Sequence, residues 1–163
     1  PARTISAPPD AAPSPPAAEE TPPAEAPPAA PRADTTEAES PDALLEALRA
    51  RGRVVLDGIA FDQGSTALSS ASAEAVDRAA AALGAAPEMR VVVVGHTDAS
   101  GSLDVNLRVS QARADSVRRA LVEAGVSADR LRAEGAGYLA PRAPHGSAEG
   151  PALNRRVELV AMP

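Results

Sequence analysis

Cysteine is absent from this 163-residue chain, as are lysine and tryptophan, and the aromatic complement is one Phe and one Tyr. Without thiols there is no disulfide framework and no thiolate metal site, although an oxidising compartment stays open. With two rings there is almost nothing to stack on bases, and a near-neutral folded part offers no phosphate-binding field, so nucleic acid is disfavoured. No apolar run approaches the ~18 residues of a membrane span. The chain begins at Pro1, so a membrane attachment is expected only through an upstream signal or anchor that has been removed. All sixteen basic residues are arginine.

What is present divides sharply. Of the 17 prolines, 12 fall within residues 1–41, and Ile5 is the sole large aliphatic residue before Leu44. Such a segment buries too little apolar surface to offset its ordering entropy. Residues 1–40 therefore read as a disordered Pro/Ala/Glu-rich linker with polyproline II character and an upper reach of ~120 Å. Over residues 1–41, Arg3 and Arg32 face seven acidic residues, a balance of −5 that leaves −1 for the other 122. The acidic pI belongs to the tail. Residues 41–163 read as one folded domain.

In that domain Ser40-Pro41-Asp42 starts a short amphipathic helix ended by Gly52, expected to pack at the domain edge. Arg53 to Phe61 reads as a strand with Phe61 in the core, and a helix follows from about Ser72 to Leu83, with Val76, Ala79/Ala80 and Leu83 inward. Val91–Val94 is a β-branched run suited to a central strand buried on both faces. Gly95 breaks it, and His96-Thr97-Asp98 follow at a carboxyl strand end, where open α/β sheets carry their ligand chemistry. From about Asp104 the spacing turns helical through Leu107, Ser110, Ala114, Val117 and Leu121, until Gly125. Asn106 and Arg113, two turns apart, share a side of this helix, so Asp98, Asn106 and Arg113 can converge. Arg132–Tyr138 reads as a glycine-interrupted strand, residues 139–153 as a polar loop, and Asn154–Val160 as the last strand. The order strand, helix, strand, helix, strand, strand argues an α/β (α+β) sandwich with a mixed sheet and helices on one side.

Enzyme readings find little support. His96, Asp98 and the distant His145 lack the spacing of a zinc site, so no metal and no cofactor are expected. There is no Gly-x-Ser-x-Gly elbow and no cysteine nucleophile. Gly135-Ala136-Gly137 lacks the context of a dinucleotide loop and reads as a place where backbones approach closely. For Asp98 and Arg113, the alternative to a binding role is a turn cap and an ion pair of Arg113 with Asp98 or Glu158.

Four blocks in order, Phe61-Asp62-x-Gly64, Gly95-His96-Thr97-Asp98, Asn106-x-x-Val109-Ser110-x-x-Arg113-Ala114 and Asn154-Arg155-Arg156-Val157-Glu158, resemble the OmpA-like peptidoglycan-binding domain over roughly Arg53 to Val160. The resemblance implies the βαβαββ fold and a non-enzymatic function. It implies non-covalent binding of the meso-diaminopimelate of the stem peptide through Asp98 and Arg113, with Asp62, Thr97, Asn106 and Arg155 as supporting contacts and Arg156 near them. A zwitterion needs an acceptor anion and a forked cation a few ångströms apart, and Asp with Arg meets both needs. The partner so implied is peptidoglycan, and the location the periplasmic face of a Gram-negative outer membrane, where the domain would anchor an outer-membrane or lipid-anchored protein to the wall. The rival expectations are the wall-binding domain of an inner-membrane motor or secretion component, and an interaction module of the same fold without wall affinity.

Overall fold

The computed structural model describes residues 40–62 and 65–163. The linker expectation for residues 1–40 lies outside these except for Ser40, as do Gln63 and Gly64 of the first sequence block. The first helix, α1 (Pro41–Arg51), begins where the sequence places it: the Ser40 hydroxyl accepts from Ala43 N–H at 3.2 Å and Pro41 occupies the first turn. It ends on Gly52 in the left-handed region at φ 71°, where the N–H returns to Leu48 O at 3.0 Å. Leu44, Leu45 and Leu48 bury fully against the main core, a larger share than an edge helix implies.

Strand β1 is only Arg53–Val55, shorter than the expected Arg53–Phe61. Gly58 at φ 85° turns the chain out of the sheet, and Phe61 meets only Leu68 in an isolated bridge. Ser72 holds this detour, its buried hydroxyl accepting from Ala60 N–H and donating to Ala60 O, both at 2.8 Å. After a single 3-10 turn, α2 (Ala73–Gly84) buries Val76, Ala79, Ala82 and Leu83.

Strand β2 (Val91–His96) is central, but its burial alternates: Val91 and Val93 are sealed in the core while Val92 and Val94 are half-buried. Helices cover one face of the sheet, so the expectation of burial on both faces holds for one only. Helix α3 (Leu103–Glu123) starts on Ser102 and buries Asn106, Ser110, Ala114, Val117 and Leu121, the expected stripe with Asn106 in place of Leu107. It lies directly on β2 and on β3 (Leu131–Gly137). A Cβ on Gly95 would collide with the Ser110 carbonyl, and one on Gly135 with the Gln111 backbone. These glycines are the close approach that the sequence indicated.

The interval 139–153 is not all loop, because Pro151 opens a short helix α4 (Gly150–Asn154), and the last strand β4 is Val157–Ala161 rather than Asn154–Val160. The sheet order is β1-β4-β2-β3, with β2 and β3 parallel and β4 antiparallel to both β1 and β2. The mixed sheet with helices on one side is the architecture expected. The outer edge of β3 is closed by α3 side chains. Gln111 donates to Ala133 O and accepts from Gly135 N–H, both at 2.9 Å, while Arg118 donates to Leu131 O at 3.0 Å. An edge so covered cannot template another strand.

Candidate functional site

The parallel pairing of β2 with β3 continues past His96 through Thr97 N–H to Gly137 O at 2.9 Å, and this fixes where the following residues leave the sheet. Asp98 then folds back, its Oδ1 accepting from Ser100 N–H at 2.9 Å. Asn106 reaches from the first turns of α3 and donates to Ser100 O at 2.8 Å and Ser102 O at 3.0 Å. Buried and with both amide hydrogens engaged, Asn106 fixes the turn that carries Asp98.

From the opposite side comes the connector between α4 and β4. Fully buried Asn154 accepts from Arg142 N–H at 2.7 Å and Ala143 N–H at 3.0 Å and donates to Ala143 O at 2.9 Å, tying the preceding loop to α4. The next residue, Arg155, donates from Nη1 to Asp98 Oδ2 at 2.8 Å. Arg156 turns elsewhere, to Glu158 Oε1 at 2.6 Å and Ala140 O at 3.1 Å. Of the two adjacent arginines, Arg155 is thus the one on Asp98.

Arg113 makes neither of the ion pairs weighed from the sequence: Asp98 is held by Arg155 and Glu158 by Arg156. Its guanidinium lies over the Phe61 ring, 4.9 Å from the centroid, and its buried Nε has no hydrogen-bond partner. Phe61, expected as core, is half-buried: it touches the core and also lines a cleft of about 210 Å³ with Ile59, Ala60, His96, Arg113, Arg155, Arg156 and Val157. Asp62, exposed, follows Phe61 and is held by its backbone, N–H to Ala67 O at 3.1 Å. Thr97 is buried with its hydroxyl unpartnered.

The electrostatics follow from these contacts. The hydrogen bond from Arg155 holds the Asp98 carboxyl down at about 2, with Ser100 adding to it and burial opposing. Burial lowers the Arg113 pKa, and Arg155 adds to that while Asp98 pulls it back up, so all three charges sense one another. His96 is pushed down to about 4, chiefly by burial, then by Arg156, with Glu158 opposing at 4.0 Å. Its ring is therefore a neutral imidazole at pH 7, with neither nitrogen hydrogen-bonded. The site therefore has a fixed anion, a half-exposed cation on it, and a desolvated cation beside an aromatic face.

A mixed sheet whose central strand ends at such a cleft makes this an α/β domain with a candidate binding cleft at a strand end. The OmpA family model matches residues 60–155, and the chain belongs to the OmpA family. It is 43% identical over 107 residues to the probable lipoprotein YiaD of Escherichia coli, covering 66% of this chain and 49% of that protein. It is 40% identical over 102 residues to the peptidoglycan-binding protein ArfA of Mycobacterium tuberculosis, 63% of this chain and 31% of ArfA. The chain thus spans half or less of the length of these relatives. The crystal structure of the peptidoglycan-associated lipoprotein from Burkholderia pseudomallei superposes with a TM-score of 0.58 at 31% identity, covering 64% of this chain and 88% of that one.

Proposed function

We propose that this domain binds peptidoglycan non-covalently, without catalysis, through the meso-diaminopimelate of the stem peptide. Asp98 accepts from the ammonium of the free D-centre and Arg113 takes its carboxylate, with Arg155, Thr97, Asn106 and Asp62 around them. The observation that carries this reading is Arg113: a half-buried guanidinium, oriented by Phe61 and without an ion-pair partner, close enough to the fixed Asp98 carboxylate to feel its charge. A desolvated cation with an unmet donor is costly in a purely structural role and is what a ligand carboxylate satisfies. The relatives named peptidoglycan-binding and peptidoglycan-associated support the same ligand class. In this reading the domain sits on the periplasmic side of the outer membrane.

The test is co-sedimentation of the full chain with diaminopimelate-type peptidoglycan. Asp98→Ala and Arg113→Ala each leave one ligand charge unpaired and should each weaken binding by about 2–5 kcal/mol, with the double variant little worse than either. Intact wall binding by a folded double variant refutes the assignment.

A further inference from the structure

The carboxylate assigned to the ligand ammonium is already engaged in the free protein. Arg155 Nη1 donates to Asp98 Oδ2 at 2.8 Å, and Ser100 N–H takes the other oxygen at 2.9 Å. A guanidinium and an α-ammonium make the same demand on that oxygen, a charged N–H donor at hydrogen-bond distance. The pair is lopsided: the Arg155 side chain is 49% exposed and that of Asp98 17%. Asp98 is fixed by its turn, whereas Arg155 is free to swing from a backbone anchored by buried Asn154. Arg113, stacked on Phe61, has no such freedom.

We propose that Arg155 is an internal stand-in for the ligand ammonium, and that binding is an exchange of ion pairs. The incoming ammonium replaces Arg155 on Asp98, and the released guanidinium joins Arg113 on the ligand carboxylate. The exchange rests on the zwitterion reading of this site. It makes Arg155 a specificity-determining residue. A zwitterion re-pairs every charge that it disturbs. An ammonium with no carboxylate beside it, as on a lysine side chain, breaks the Asp98–Arg155 pair and leaves Arg155 and Arg113 facing one cleft without a counter-ion. Discrimination thus comes partly from a contact that the wrong ligand must break.

Calorimetric titration of the full chain with soluble muropeptides carrying either diaminopimelate or lysine at the third stem position tests this on the wild type, Arg155→Gln and Arg155→Lys. Removing the competitor should tighten lysine-type binding about fivefold in Arg155→Gln, the range of a half-exposed ion pair, while diaminopimelate-type binding weakens. Arg155→Lys keeps a competing cation and should keep lysine-type binding near the wild-type level. An ordinary ligand contact predicts no gain, so lysine-type binding that is no tighter in Arg155→Gln overturns the exchange. The zwitterion site itself still stands in that case if Asp98→Ala abolishes diaminopimelate-type binding. No diaminopimelate-type binding by the wild type overturns both. Independently of ligand, the Asp98 carboxyl carbon should titrate below the ordinary range in the wild type and move back toward it in Arg155→Gln. An unmoved titration also overturns the exchange.

Discussion

Mild acid should weaken this fold through one side chain, His96. The ring is 5% exposed and neither nitrogen has a hydrogen-bond partner. Burial, Arg156 and Arg53 disfavour its cation, Glu158 favours it, and the balance takes the pKa from 6.5 to about 4. Because the folded value is depressed, the unfolded chain binds a proton between these limits and the native state does not. Stability is complete above the unfolded value and falls with pH until the native ring also protonates near 4. Each pH unit in that window costs about 1.4 kcal/mol, or about 3 kcal/mol across it. For a domain of this size that lowers Tm by about 10 °C. Thermal melts followed by circular dichroism from pH 7 to pH 4 would measure the fall in the wild type and in His96→Gln. The comparison is of slopes, so any constant destabilisation by the substitution drops out. Parallel slopes in the two proteins would refute the assignment of a neutral buried imidazole.

Two further outcomes test the frame. Arg130 donates to Met89 O at 2.9 Å, Leu83 O at 2.8 Å and Ala86 O at 2.6 Å, a cation on one carbonyl of the last turn of α2 and two of the turn that follows it. Arg130→Met should cost about 2–3 kcal/mol in urea unfolding, with partial recovery in Arg130→Lys and unchanged wall sedimentation, since Arg130 precedes β3 at the end of the sheet away from Asp98. Gly135→Ala sets a methyl against the Gln111 backbone and should destabilise by about 2 kcal/mol or more, read as an earlier urea midpoint. A neutral effect there would mean that α3 does not rest on β3 as described.

The parts of this structure legible in the sequence are those set by near neighbours. Ser40-Pro41 and Gly52 bound α1 because capping is decided within four residues, and the α3 stripe shows because one helix face repeats locally. The converging Asp98 and Asn106 were readable for the same reason: turn and helix adjoin. What failed depends on distance along the chain. Arg53–Phe61 alternates like a strand, but Ser72 and Gly58 draw its second half away from the sheet. Asn154 and the arginines after it look like a strand start, yet Asn154 bonds to residues 142 and 143 and so belongs to α4. Arg130 carries no local signal, because its acceptors lie 41 to 47 residues earlier. Phe61 did offer a clue: the chain's lone phenylalanine, next to a charged turn, serves Arg113 as well as the core.

The two ends of the central strand differ in how their polar groups are satisfied. At the amino end of β2, Arg130 satisfies three carbonyls with short, charge-assisted bonds. Toward the carboxyl end the opposite holds: among the described residues, the buried side-chain polar atoms without a partner belong to His96, Thr97, Arg113 and Arg156, with Ser69 Oγ the one exception. Each such group costs about 1–3 kcal/mol when it is left dry and unmet. Native folds tolerate few of them, and a cluster in one place calls for a cause. Here His96, Arg113 and Arg156 line one cleft, with Thr97 and the Asp98 turn following directly on His96, and the elements that carry them cannot easily shift. Gly95 and Gly135 let α3 sit directly on the sheet, and Asn106 and Asn154 lock the turns from either side. Rigid support beneath unmet polar groups is the condition under which a ligand, rather than a relaxing side chain, supplies the missing partners.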